Sequence, residues 1–230
     1  MLPRLEVPTY TLTLPSTKAQ VVFRPFLVNE HRQLMMVTGS DAVDQLRVVK
    51  DLIRVCTFEK LNVDKLPNFD IEYIFLNLRA KSINETVKLV VTCECGHQQD
   101  ASVDLTSVAV NEAEGHTNKI SLTDTIGIQM KYPTGDDIAE IRDSATMENT
   151  FKLMTNCIGG VYDQQNYWSM EDQTPEEIET FISSLTKAQF DKIENFFITM
   201  PVLSHTLKFK CESCGLDNEV MMRGLASFFA

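Results

Sequence analysis

Hydrophobic and polar positions alternate at the start of the chain and then change to helical spacing. TYTLTLP and AQVVFRPF both alternate, and the polar STK between them predicts a β-hairpin. After Ser40 or Asp41, either of which suits an N-cap, apolar side chains recur at helical spacing as far as Cys56. This pattern predicts a helix on whose apolar face Cys56 is a small buried hydrophobic residue rather than a ligand.

The middle of the chain predicts one further helix and several strands. PNFDIEYIFLNLRAKS has one apolar stripe at helical spacing, and Asp70 is a suitable cap for it. ETVKLVVTC and QQDASVDL alternate on either side of a cysteine cluster, which therefore lies at the tip of a predicted hairpin. NKISL and IGIQMKYP predict two more strands.

From residue 134 the pattern becomes mainly helical. TPEEIETFISSL and TKAQFDKIENFFITMP each begin with Thr and carry Glu or Gln three positions later, which is the capping-box pattern. Gly159 and Gly160 are predicted to end the helix that precedes them, because glycine tolerates the left-handed conformation of a helix end. YWSM, residues 167–170, holds the only tryptophan and is predicted to be a connector.

Composition and charge narrow the class of protein. The chain has 230 residues, of which 43% are hydrophobic and 23% charged, as in ordinary globular proteins. Its net charge of −11 repels phosphate and disfavours binding to nucleic acid. The sequence lacks an apolar run long enough to span a membrane and an apolar signal-peptide core, so we expect neither a membrane partner nor secretion.

Four of the six cysteines occur in two short clusters that lie far apart in the chain. Cys211 and Cys214 form a C-x-x-C pair followed by Gly215, and Cys93 and Cys95 form a shorter C-x-C pair. Cysteine pairs at hairpin tips are the usual ligands of a structural Zn²⁺, and a reducing compartment disfavours a disulfide. We therefore predict one shared Zn²⁺.

Alternatives to four thiolate ligands remain open at this point. His97 could replace one thiol, and the cysteines could be redox thiols, a disulfide between the clusters, or unrelated. Four thiolates leave no open position on the metal, so the predicted zinc is structural rather than catalytic. The histidines His31, His116 and His205 are scattered and form no catalytic constellation, which predicts a protein that is not an enzyme.

These elements predict an α+β fold with a helical region and β-hairpins, two of which form a zinc-ribbon-like unit. We expect an N-terminal α+β part over residues 1–132, a helical part over 133–203, and the second cysteine hairpin with its tail over 204–230. The last part is predicted to pack back on the first cysteine hairpin within one integrated domain. The terminal GLASFFA, residues 224–230, is predicted to turn at Gly224 and dock on an apolar surface, either this chain's own ribbon or a neighbouring subunit.

Several of these motifs, in this order, carry a family resemblance. They are FRPFLVNE with a later LMM, FDIEYIFLNLRAKS, the first cysteine hairpin, IGIQMKYPT, EEIETFISSLTKAQFDKIENFFITMP, HTLKFKCESCG and a terminal GLASFF. From about residue 20 to its end, the chain resembles the baseplate hub proteins of T-even-type contractile-tailed bacteriophages.

The resemblance implies a non-enzymatic role in building the baseplate hub, from which the tail tube and sheath grow. It implies location in the host cytoplasm during assembly and then in the virion tail baseplate. Expected partners are other baseplate hub proteins, wedge or tail-tube proteins, and alternatively a second copy of the chain. The competing hypothesis is a zinc-ribbon module that binds nucleic acid or acts in transcription, which the charge of −11 disfavours.

Overall fold

The computed structural model describes residues 5–37, 39–143 and 146–228. Seven helices and eleven strands occur along these ranges, and the predicted α+β class is confirmed. The helices are α1 (Val28–Met36), α2 (Ala42–Cys56), α3 (Asn68–Ser82), α4 (Gly135–Asp143), α5 (Met147–Asn156), α6 (Pro175–Ser183) and α7 (Lys187–Thr199). The strands are β1 (Tyr10–Thr13), β2 (Gln20–Phe23), β3 (Thr86–Thr92), β4 (Gln98–Asp104), β5 (Ala109–Asn111), β6 (Lys119–Ser121), β7 (Gly127–Met130), β8 (Ile158–Tyr162), β9 (Tyr167–Ser169), β10 (Val202–Lys210) and β11 (Asp217–Arg223). None of these helices combines the length and apolarity that a membrane crossing requires.

The chain forms two compact units, and the second is inserted into the first. The first unit contains Met1–Asn111 and Val202–Ala230, and the second contains Glu112–Pro201. The insertion leaves and re-enters the first unit at one residue pair, because Asn111 of β5 lies opposite Val202 of β10. The three-part division at residues 132 and 203 stays a prediction about domain organisation.

The first hairpin and helix α2 form as the hydrophobic pattern predicts, whereas helix α1 is not among the predicted elements. β1 and β2 form the expected hairpin, and the carboxylate of Asp41 caps α2 by accepting a hydrogen bond from the Asp44 amide. Cys56 is fully buried in the cluster between this hairpin, α2 and α3. Burial raises the pKa of the Cys56 thiol to about 11, so it behaves as the predicted small hydrophobic residue.

Helix α3 is buried on more than one side, whereas its sequence predicts a single apolar stripe. Ile74 and Leu78 belong to the N-terminal cluster, but Leu76 and Ala80 pack into a second cluster with the cysteine hairpins. The prediction that Asp70 caps this helix is wrong. Its buried carboxylate instead accepts hydrogen bonds from the backbone and hydroxyl of Ser16, which lies in the β1–β2 turn.

The second cluster lies between α3, the β3–β4 hairpin and the β10–β11 hairpin. Alternate residues of each strand face this cluster, so that Val91 and Val103 pack with Leu207 and Met222. These side chains are nearly fully buried, whereas Met221, which points away, is 66% exposed. The two cysteine hairpins therefore share a hydrophobic core behind their tips.

The C-terminal residues complete this core. The chain turns at Gly224, whose φ of +71° favours glycine, and Leu225–Phe228 form a short 3₁₀ helix. Phe228 is fully buried in the second cluster, so the predicted docking of the terminal segment is confirmed for this residue. Phe229 lies outside the described residues.

The second unit contains a four-stranded antiparallel sheet in the order β6-β7-β8-β9, with its own hydrophobic cluster. The prediction that Gly159 and Gly160 end a helix is wrong, because α5 ends at Asn156 and both glycines lie in β8. Trp168 lies in the edge strand β9 rather than in a connector. A ring or long side chain passes close over each glycine, so neighbouring side chains rather than backbone torsion require glycine here.

The two predicted capping boxes are confirmed in the second unit. Thr174 accepts a hydrogen bond from the Glu177 amide at the start of α6, and the Glu177 carboxylate accepts one from the Thr174 amide. Thr186 and Gln189 make the same reciprocal pair at the start of α7. A cap of this kind contributes about 1 kcal/mol to helix stability, so the local sequence alone can define these helix starts.

Phe228→Ala should lower the free energy of unfolding by about 3–5 kcal/mol, because it opens a cavity in the second cluster. Met221→Ala is the matched control, since it removes an exposed side chain from the neighbouring strand and should change stability by no more than about 0.5 kcal/mol. Urea unfolding of both purified variants measures the difference. Equal stabilities would mean that the terminal turn is not part of the core.

Candidate metal centre

Two hairpin tips with matching backbone hydrogen bonds hold the four clustered cysteines. In the first tip the Cys93 amide donates to the His97 carbonyl, and the Gly96 amide donates to the Cys93 carbonyl, at 2.9 and 2.8 Å. In the second tip the Cys211 amide donates to Leu216 and the Gly215 amide donates to Cys211, both at 2.9 Å. The tips are thus built alike, although the first has one residue fewer between its cysteines.

Glycine is required at the same point of each tip. Gly96 has φ of +84° and Gly215 has φ of +73°, both in the left-handed region that a side chain disfavours. A Cβ atom at either position would meet no heavy atom within 4 Å, so the requirement is conformational rather than steric. These turns bring the two cysteines of each tip to the same side of the loop.

The four sulfur atoms meet between the tips. The Sγ atoms of Cys93 and Cys214 are 3.6 Å apart, and those of Cys95 and Cys211 are 3.7 Å apart. All four sulfurs lie within 4.8 Å of one another. A disulfide requires about 2.05 Å between sulfurs, so these are four free thiols rather than two crosslinks.

Burial divides the four cysteines into two pairs. Cys93 and Cys211, the first cysteine of each tip, are buried, and Cys95 and Cys214 are exposed. The group therefore has an inner side against the protein and an outer side that faces solvent. Among the described residues this group holds sulfur ligands alone, and His97 takes part in the tip through its backbone carbonyl.

Polar side chains outside the cysteine motifs also join the two tips. The side-chain amide of Gln99 donates to the Lys210 carbonyl at 3.1 Å and accepts from the Glu212 amide at 2.8 Å. The Asn218 side chain accepts from the Glu94 amide at 3.4 Å. Sequence reasoning missed Gln99 and Asn218, since nothing in their local pattern distinguishes them from other polar strand residues.

The four thiols do not share one acidity. Hydrogen bonds from the Cys214 and Ser213 amides lower the pKa of Cys211 to about 6 despite the opposing effect of burial. The Leu216 amide acts in the same direction on Cys214, but burial and the three neighbouring thiols outweigh it and raise that pKa to about 12. One thiolate therefore forms readily, and further negative charge requires a cation to balance it.

This arrangement can hold one metal ion. Four sulfur ligands would fill a tetrahedral coordination shell and leave no coordination position for a substrate. Soft sulfur ligands select metals such as zinc, and four of them around one ion form a closed structural site. His116, in the second unit, lies outside this group of cysteines. Its two ring nitrogens lie 3.0 Å from the Thr199 and Tyr132 hydroxyls, as expected of a histidine satisfied within the protein.

Comparison with known proteins shows the family to which the chain belongs. The family model described as T4 bacteriophage base plate protein matches residues 7–230, so the chain belongs to that family. The baseplate hub assembly protein gp26 of Enterobacteria phage T4 is 24% identical over 210 residues, which cover 90% of each chain. No solved structure matches. The resemblance found in the sequence motifs is thus confirmed.

Gly215→Ala should destabilise the second tip by about 1 kcal/mol, because alanine resists the left-handed conformation. Gly215→Asn is the matched control, since asparagine tolerates that conformation better and adds a larger side chain. The space around Gly215 is open, so a steric effect would rank the two variants in the opposite order. Thermal unfolding in the same buffer distinguishes the two orders.

Proposed function

We propose that this chain is a non-enzymatic assembly protein of the baseplate hub in a contractile phage tail. The observation that carries the proposal is the similarity to a baseplate hub assembly protein along 90% of both chains. Its partners would be other baseplate hub proteins, wedge or tail-tube proteins, or a second copy of the chain. It would act in the host cytoplasm and reach the virion as part of the tail baseplate.

The second hypothesis, a nucleic-acid-binding zinc ribbon, has less support. The net charge is −11, and Lys208 near the second tip pairs with Glu219 at 2.7 Å. Binding to a phosphate backbone needs several unpaired cationic side chains on one face. We therefore propose that the ribbon-like unit serves the architecture of the protein and does not contact nucleic acid.

We further propose that Cys93, Cys95, Cys211 and Cys214 bind one structural Zn²⁺. Around a tetrahedral ion with Zn–S bonds of about 2.3 Å, neighbouring sulfurs lie about 3.8 Å apart. The observed separations of 3.6 and 3.7 Å fit that geometry closely.

Zinc at this position would stabilise the first unit by joining its two chain segments. Cys93 and Cys214 are 121 positions apart in sequence, and the second unit lies between them. Closing a loop of that length costs on the order of 4 kcal/mol of chain entropy, which a single metal centre offsets. The metal would supply cohesion and no reaction.

Purified protein should contain about one zinc per chain by elemental analysis. Cys214→Ser should lose the metal and at least about 3 kcal/mol of stability, because zinc binding contributes folding free energy directly. Ser213→Ala, at the adjacent position, is the matched control and should keep both. Full metal content in Cys214→Ser, or iron in place of zinc, would contradict the proposed site.

The assembly role is tested in a phage whose copy of this gene is deleted. Cells infected with that phage should accumulate tail intermediates without complete baseplates, as judged by electron microscopy of lysates. Expression of the intact chain in the host should restore tails, and the Ser213→Ala variant should restore them equally. Normal infectious tails in the deleted phage would refute a role in assembly.

A further inference from the structure

The outer face of the sheet in the second unit carries two tyrosine rings. Residues directly opposite each other on antiparallel strands point to the same side of a sheet. Ile128 and Val161 are paired and face the hydrophobic cluster, so their neighbours Tyr162 and Tyr167, which also pair with each other, point to the opposite side. We call this side, near Tyr162 and Tyr167, the tyrosine face.

Glycines in neighbouring strands hold these rings against the backbone. A Cβ atom at Gly127 would lie 2.3 Å from the Tyr162 ring, and one at Gly160 would lie 2.5 Å from the Tyr167 ring. Each ring therefore covers a glycine and directs its other surface outward. Tyr167 remains 53% exposed, so much of its ring is accessible to a partner.

The charge around the tyrosine face is strongly negative. Residues 112–201 contain 16 acidic and 6 basic side chains, a net charge of −10, so this unit carries nearly all of the chain's total of −11. The turns on either side of β7–β8 place Asp124 and Asp163 at the end of the sheet where the tyrosines lie. Lys119 and Lys131 lie toward the other end, and Lys131 pairs with Glu171 at 2.8 Å.

The face also borders a strand that can accept a further partner. β9 is the last strand in the order β6-β7-β8-β9, so within the described ranges it pairs on one side alone. Trp168, its central residue, pairs with Val161 and so points to the other side of the sheet, where it is 43% exposed. An unpaired edge offers backbone donors and acceptors that an added extended segment can use.

We propose that the tyrosine face binds an extended segment of a partner protein that carries arginine side chains. Arginine is the cation that stacks best on aromatic rings, and the negative field of the unit attracts it. The backbone of such a segment would add to β9 while its guanidinium groups lie over Tyr162 and Tyr167. This inference rests on the assembly role proposed above and adds the chemistry of the partner.

Trp168 gives a direct test, because it is the only tryptophan and lies in β9. A short peptide of alternating arginine and serine, titrated into the full-length chain, should change its tryptophan fluorescence to saturation. A peptide of the same length with lysine in place of arginine should bind several-fold more weakly, since lysine stacks less well. A glutamate–serine peptide should produce no change.

Variants separate ring recognition from simple charge attraction. Tyr167→Leu should weaken binding of the arginine peptide about tenfold, whereas Tyr167→Phe should retain it because the ring is kept. Phe151→Leu is the matched control, since it removes another half-exposed ring from the same unit without changing its charge, and should bind normally.

Two outcomes would overturn the proposal: absence of saturable binding, or equal binding of both basic peptides that Tyr167→Leu does not alter. The second would reduce the effect to nonspecific attraction by an acidic unit. These results are distinguishable from failure of the assembly role, because peptide binding is measured on the isolated chain. A phage that assembles normally without the chain would refute the assembly role and leave the peptide result unchanged.

Discussion

Four sulfur atoms meet between two hairpin tips and bring together two distant segments of the first unit. The hairpins belong to chain segments that the whole second unit separates, yet Cys93 and Cys214 lie 3.6 Å apart. The β5–β10 ladder closes the same long loop at the pair of Asn111 and Val202. The two contacts support each other. Once one of them has formed, only a short loop of chain remains to be closed by the other, which costs less entropy.

Behind the tips, hydrophobic side chains form a much larger buried contact between the two hairpins than the four cysteines do. Leu76 of α3, Val103 of β4 and Phe228 of the terminal turn are nearly or fully buried in one cluster. The four cysteines therefore join the two hairpins at their tips, and this cluster joins them behind the tips. Loss of either should loosen the other, since the hairpins have few additional polar links beyond those of Gln99 and Asn218.

The charge distribution separates the roles of the two units. The first unit, with the four clustered cysteines, is almost neutral, whereas the second carries a net charge of −10. A large charge of one sign disfavours compactness but favours solubility and attraction of oppositely charged partners. The proposed binding of a cationic partner by the second unit relies on this division of charge.

The sequence predicts the elements whose causes are local and misses those whose causes are tertiary. Thr174 and Thr186 define helix starts through capping within one turn. The alternating stretches on either side of the cysteine motifs predict the hairpins whose tips hold them. The helix end predicted at Gly160 is wrong because this glycine makes room for a ring from the neighbouring strand. The cap predicted at Asp70 is wrong because its partner, Ser16, is distant in sequence. Gln99 likewise has partners that are distant in sequence, because it bonds the backbone of Lys210 and Glu212 in the second hairpin.

X-ray absorption at the zinc edge, measured on purified full-length protein, tests the central claim most directly. The account predicts a first shell of four sulfur atoms at about 2.3 Å, with no nitrogen or oxygen ligand. A shell containing a histidine nitrogen would show that His97 replaces a cysteine. The absence of zinc from protein purified without chelators would contradict the account, because the four thiols would then have to hold the hairpins together without a metal.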